Sequence, residues 1–117
     1  MDKSPIRVLV VEDYEPWRRY VSTALQKQTE LQVIGEVSDG LEAVQQAEEL
    51  QPDLILLDIG LPTLNGIEAA RRIRKVSPAS RILFVSENCS ADIAEEALSV
   101  QAATSSSRML EANYYLL

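Results

Sequence analysis

The sequence predicts an α/β fold: an open, doubly wound parallel sheet with helices packed on both faces. Three observations lead there. Short β-branched apolar runs alternate with amphipathic stretches four times over, at roughly 25 residues per unit. The third run, "DLILLD" at 53–58, is apolar throughout its middle, as befits a strand covered on both faces. Right-handed crossovers through the intervening helices then bring successive strands into one parallel sheet.

The elements follow in order. "IRVLVV" at 6–11 is a buried strand stopped by Glu12-Asp13. Trp17, Tyr20, Val21, Ala24 and Leu25 recur at helical spacing with Arg18, Arg19 and Lys27 between them, and Pro16 is tolerable in the first turn of that helix. "LQVIGEV" at 31–37 alternates as a half-exposed strand does. A turn at Ser38-Asp39-Gly40 leads into a helix with Leu41, Val44, Ala47 and Leu50 expected inward, closed by Pro52. After the third strand, Gly60, Pro62, Asn65 and Gly66 mark a long turn. Leu64, Ile67, Ala70 and Ile73 mark a third helix, with Arg71, Arg72, Arg74 and Lys75 on its wet side, and Ser77-Pro78 ends it. "RILFVS" at 81–86 is the fourth strand, and Ile93, Ala94, Ala97 and Leu98 mark a fourth helix.

The totals narrow the function. A chain of 117 residues with 46% hydrophobic and 25% charged residues is ordinary for one globular domain. A net charge of −7 with no histidine argues against a nucleic-acid surface and leaves solubility or an acidic cation pocket. The single cysteine, Cys89, cannot form an internal disulfide, which suits a reducing cytoplasm. Any metal site must be built from oxygen ligands, hence for a hard cation. No signal-peptide core or membrane-length apolar run is present, so a cytoplasmic protein is expected.

Ligands of such sheets bind beyond the carboxyl ends of the strands, where strand order reverses. In the five-stranded order 2-1-3-4-5, strands one and three are neighbours at that point. Strand one ends in Glu12-Asp13, strand three in Asp58 and strand four in Ser86. Three carboxylates in one small cleft repel each other and call for a cation. All-oxygen ligation with room for water suits Mg²⁺. Alternatively, each carboxylate merely ends a strand in solvent.

"VLVVED" at 8–13, "PDLILLDIGLP" at 52–62, "NGIEAARRIR" at 65–74 and "RILFVSEN" at 81–88 closely resemble the receiver domain of two-component response regulators. Their style is most similar to receivers that precede a LuxR/NarL-type helix-turn-helix output domain. The resemblance implies a flavodoxin-like fold and a single receiver domain over 1–117, with the typical pattern at 6–98, an unusual tail at 99–117 and no output domain. It implies that Asp58 accepts a phosphoryl group from a histidine kinase. Asp13 would ligate Mg²⁺ directly and Glu12 mainly through water, with Asp58 and the backbone carbonyl of Gly60 completing the protein ligands. Ser86 would hydrogen-bond the phosphoryl group and move on activation, while Pro62 and Gly66 shape the loop. A homodimer through the fourth helix, fifth strand and fifth helix is also implied, with no DNA binding by this chain itself. Receiver chemistry is limited to self-phosphorylation and self-dephosphorylation, so no separate enzyme activity is expected. A flavin-binding relative of the same fold is disfavoured, because Glu12-Asp13-Tyr14-Glu15 is acidic where a phosphate cradle needs Gly, Ser or Thr.

The tail departs from the family. The pattern A-L-x-x-G-A-x-G-Y-x-x-K should follow the fourth helix. Aligned on Ala97-Leu98, the chain offers Gln101, Ala102, Thr104, Ser105 and Arg108 at the G, A, G, Y and K positions. Arg108 stands at the lysine spacing, but a planar fork does not replace a compact ammonium. A Thr-Ser-Ser-Ser strand would also bury hydroxyls that each need a partner. The fifth strand and helix are therefore not matched, and a rearranged segment is expected after about residue 99. If the lysine is lost, the alternative reading is a pseudo-receiver, a binding or dimerisation module with impaired phosphorylation.

The genetic code offers an explanation. Beginning at the third base of the Val100 codon, permitted wobble choices let the shifted frame read AGGYVVKSDAGSELLPA, which restores the missing G-Y-x-x-K. A frameshift near Ser99–Val100 is the expectation; its rival is a natural receiver with a short polar fifth strand. Sequencing the coding DNA is expected to show that peptide in the shifted frame, and a DNA that cannot encode it there eliminates the frameshift.

Overall fold

The computed structural model describes residues 4–85. Within them the order is β1 (Ile6–Val11), α1 (Glu15–Gln26), β2 (Leu31–Val37), α2 (Gly40–Leu50), β3 (Leu54–Asp58), α3 (Gly66–Val76) and β4 (Arg81–Val85). The four strands form one parallel sheet in the order β2-β1-β3-β4. This is the expected flavodoxin-like arrangement as far as the described residues reach. The fourth helix, the fifth strand, Cys89, Ser86 and Arg108 lie outside them, as does the whole tail at 99–117. Among the described residues no helix is long and apolar enough to cross a membrane.

The period-two geometry of the strands divides the core into two faces. Leu9, Val11, Ile55, Leu57, Ile82 and Phe84 point to one face and pack with Ala43 and Ala47 of α2 and Ile67, Ala70 and Ile73 of α3. Val8, Val10 and Leu56 point to the other, against Val21 and Leu25 of α1. β2 is an edge strand among the described residues, and its mixed burial follows from that position. The β1–β2 register shifts between Val8, opposite Val33, and Leu9, opposite Gly35. Gly35 fits the close approach there: a Cβ would stand 3.0 Å from Leu9 Cδ1 and 3.4 Å from Leu50 Cδ1.

Local chemistry sets the helix ends. Asp39 caps α2 by accepting from the Glu42 amide at 2.8 Å, and Asn65 caps α3 through the Glu68 amide at 2.9 Å. At the C-terminus of α2, Gln51 adopts the left-handed conformation with φ 48°. Arg7 donates to the carbonyls of Leu50 and Gln51 there, and the Gln51 side-chain Nε2 donates to Val76 O at 3.0 Å, tying α2 to α3. The buried Ser77 and Ser80 hydroxyls bond each other at 2.6 Å, and Ser80 also donates to Pro52 O.

The inner faces of α1 and α2 differ from the spacing argument. Tyr20 is 64% exposed and Leu41 44% exposed, and Ala24 is exposed as well. The inward stripe of α1 is Arg18, Val21, Ser22 and Leu25, at i, i+3, i+4 and i+7. Arg18 takes an inner position because carbonyl and carboxylate partners await its guanidinium. In α2, Gly40, Ala43 and Ala47 are buried, since small residues let the helix lie close to the sheet and to the loop after β3.

That loop, residues 59–65, is clamped by two glycines. A Cβ on Gly66 would stand 2.1 Å from the Asp58 carbonyl oxygen, and one on Gly40 would stand 1.9 Å from the Leu64 carbonyl oxygen. Gly60, by contrast, has open space where its Cβ would be. Gly66→Ala is therefore expected to cost about 3 kcal/mol in urea unfolding, because backbone must move to admit the methyl. Gly60→Ala should stay within about 0.5 kcal/mol of wild type. Equal losses for the two would contradict the clamp.

Candidate functional site

The site grows out of strand pairing. β1 and β3 are adjacent and parallel, and their ladder runs through Val11 opposite Leu57. The residues that follow therefore emerge side by side at the carboxyl edge. Glu12, Asp13 and Asp58 each offer a carboxylate oxygen, and these oxygens all lie within 4.8 Å of one another. Glu12 and Asp58 are half-buried and Asp13 is exposed. The three side chains singled out by the strand ends are thus brought together.

The backbone around them is held by hydrogen bonds. The Glu12 amide donates to Val37 O at 3.0 Å, extending the pairing with β2 by one residue. Glu12 Oε2 accepts from the Tyr14 amide at 3.1 Å. The Glu12 carbonyl accepts from Arg18 Nη1 at 2.9 Å. Asp58 Oδ1 accepts from the Gly60 amide at 3.2 Å, which turns the chain just past the strand. Farther along, the Gly66 amide bonds Ile59 O at 2.7 Å and the Leu64 amide bonds Pro62 O at 2.6 Å. Between them Thr63 sits at φ 67°, a left-handed conformation that is strained for a β-branched residue.

Crowding raises the proton affinity of the cluster. Burial is the largest cause for Glu12, followed on the raising side by the Asp58 and Asp13 charges, and its carboxyl is pushed up to about 7. The Tyr14 amide opposes that rise. Asp58 is also raised, first by burial and then by Asp13, against the Gly60 amide that lowers it. No histidine or lysine is available from β1, β3 or the turns beside them to neutralise the group. Oxygen donors alone, half-buried and mutually repelling, fit a hard divalent cation that keeps part of its water.

Of the other expected site residues, Gly60 lies two residues past Asp58, is exposed, and donates its amide to Asp58 Oδ1. Ser86 and Arg108 fall outside the described residues. Sequence spacing read Arg18 as a surface cation, whereas it lies against the backbone of Glu12. The signal that could have found it is its offset from Val21, Ser22 and Leu25 at three, four and seven residues.

Known proteins are similar to this chain in sequence and fold. Residues 8–106 match the family described as response regulator receiver domain. A protein-glutamate methylesterase/protein-glutamine glutaminase of Thermotoga maritima is 47% identical over 81 residues, covering 69% of this chain and 23% of that protein. The response regulator protein VraR of Staphylococcus aureus is 40% identical over 80 residues, covering 68% of this chain and 38% of its own length. The chain therefore spans well under half of these relatives. Among solved structures, the signal receiver domain of a putative response regulator NarL from Mycobacterium tuberculosis superposes with a TM-score of 0.81 at 29% identity, covering 94% of each chain. The receiver domain of a Pseudomonas aeruginosa sensor histidine kinase, which has a magnesium ion coordinated in its active-site cleft, gives 0.69 at 31% identity over 83% of this chain and 80% of that one. The match across most of the chain, together with the strand order and the acidic cluster, makes this protein a member of the response regulator receiver domain family of two-component systems.

Proposed function

We propose that Asp58 accepts a phosphoryl group from a sensor histidine kinase in a Mg²⁺-dependent step, and that the phosphorylated chain acts as a signalling switch. The observation that carries this reading is the convergence of Glu12, Asp13 and Asp58 within 4.8 Å on two adjacent strand ends. The cation would be held by Asp13 and Asp58 and by the Gly60 carbonyl, with Glu12 acting mainly through water. When bound, Mg²⁺ supplies charge neutralisation and makes the phosphorus more electrophilic. Asp58, in its ionised form, attacks phosphorus; an O–P bond forms and the bond to the donor nitrogen or acyl oxygen breaks, leaving the electron pair with the donor. Half-burial of Asp58 and its bond to the Gly60 amide fix the attacking carboxylate on the rigid end of β3.

Turning the Asp58 carboxylate into an acyl phosphate takes the charge at the end of β3 from −1 to about −2, which Ser86 would sense by hydrogen bonding. Arg108 is the residue at the spacing where the family places a lysine. The similarity to VraR and to the NarL receiver supports a role in transcription regulation through an output domain of the LuxR/NarL type, while the methylesterase relatives carry a different output. A cytoplasmic location accords with that role.

Incubation with Mg²⁺ and acetyl phosphate is expected to add one phosphoryl group to the wild type and none to Asp58→Asn, read by intact mass. No mass increase in the wild type, or an unchanged increase in the variant, would refute the proposal.

The raised Glu12 carboxyl makes stability depend on pH. Its ordinary value is 4.5 and its folded value about 7, so the folded state binds more protons between them. Its contribution to stability is fully present below 4.5 and is lost as pH rises through about 7. Metal-free protein should therefore melt at a lower temperature at pH 8 than at pH 5, and Glu12→Gln should flatten that decline. Saturating Mg²⁺ should stabilise the protein more at pH 8, where protons no longer compete for the ligands. A Mg²⁺ effect that is larger at pH 5 would contradict the assignment.

A further inference from the structure

Arg18 occupies an unexpected place. It stands on the inward stripe of α1 with only 17% of its side chain exposed, where the fold calls for an apolar residue. Its Nη1 donates to the carbonyl oxygen of Glu12 at 2.9 Å, and its Nε lies 3.4 Å from Glu36 Oε1. Glu36 belongs to β2 and is the register partner of Val10 in β1. One guanidinium thus joins α1, the edge strand and the first residue past β1. The neighbouring Arg19 differs in kind: it pairs with Glu15 one turn away on the same helix, and both side chains are more than half exposed. Such a surface pair contributes little.

The contact falls on the first residue of the cluster. Beyond β1, the Glu12 amide is held by Val37 and its side chain by the Tyr14 amide. Its carbonyl is the remaining backbone group that decides how the chain turns toward Asp13, and Arg18 holds it. We propose that Arg18 is a positioning residue for the carboxylate cluster: bonding the Glu12 carbonyl while pairing with Glu36 sets how Glu12 and Asp13 present their oxygens to a divalent cation. This inference rests on the proposed Mg²⁺ site. A lysine would keep the charge but lacks the planar fork that serves a carbonyl and a carboxylate together.

Electrostatics gives the test a sign. By Coulomb repulsion alone, a cation beside the cluster opposes Mg²⁺, so deleting it would tighten binding. If Arg18 acts through geometry, deleting it weakens binding. Mg²⁺ alone is titrated calorimetrically into the full chain at fixed ionic strength, for wild type, Arg18→Lys and Arg18→Met. Hydrogen exchange at the Tyr14 amide is followed in the same proteins without metal. Both variants should bind Mg²⁺ about tenfold more weakly, as loss of an outer support of metal ligands does. Both should also exchange the Tyr14 amide faster while the midpoint of thermal unfolding stays above the assay temperature. Unchanged or tighter Mg²⁺ binding in Arg18→Met, or wild-type behaviour of Arg18→Lys in both measurements, overturns the inference. Absence of saturable Mg²⁺ binding in the wild type instead removes the metal reading itself. In that case the metal-free exchange result still reports on Arg18: an unchanged Tyr14 rate rejects its positioning role separately.

Discussion

The parallel pairing of β1 with β3 is the constraint on which the rest of the site depends. Because the two strands run in the same direction and their ladder reaches Val11 and Leu57, the next residues of both leave the sheet at one edge. Acidic residues placed there are forced together whatever their mutual repulsion. The force that keeps them there is the core beneath, with Leu9, Val11, Ile55 and Leu57 packed on α2 and α3, and Val8, Val10 and Leu56 facing α1. Burial of apolar surface on both faces holds the strands in register, and the carboxylates ride on that register.

A site assembled against its own electrostatics needs support close by, and the chain supplies it from backbone as much as from side chains. The amides of Tyr14 and Gly60 each donate to a carboxylate of the cluster. The loop after β3 is confined by Gly66 against Asp58 and by Gly40 against Leu64, and it contains the left-handed Thr63. These features share one consequence. The loop that follows Asp58 has little room to rearrange without moving the elements it touches. α2 and α3 are those elements, and both begin at the clamping glycines.

Much of this was legible in the sequence, and the reasons are particular. The apolar runs at 8–11, 54–57 and 82–85 are unbroken, so their strand character could be read directly, and for 54–57 the cover on both faces as well. Glu12, Asp13 and Asp58 were legible because they stop those runs abruptly. Helix faces were less so. Tyr20, Ala24 and Leu41 have the hydropathy of inward residues and the positions of outward ones; in α2 the small residues Gly40, Ala43 and Ala47 take the inner face instead. Arg18 and Ser22 are the converse, polar residues on an inner stripe. A hydropathy pattern cannot weigh the Glu12 carbonyl, six residues back, that an inward guanidinium can reach. The two clamping glycines looked like turn residues, and only the approach of distant backbone shows why a methyl is not tolerated.

If the proposed function holds, the crowded strand ends form one binding site for a divalent cation. Titration of the full chain with Mg²⁺, followed by amide resonances, tests it most directly. A saturable response with one equivalent is expected, largest at Asp13, Tyr14 and Gly60, and abolished in Asp13→Asn. Shifts that fail to saturate, or that spread evenly over the acidic surface, would contradict it.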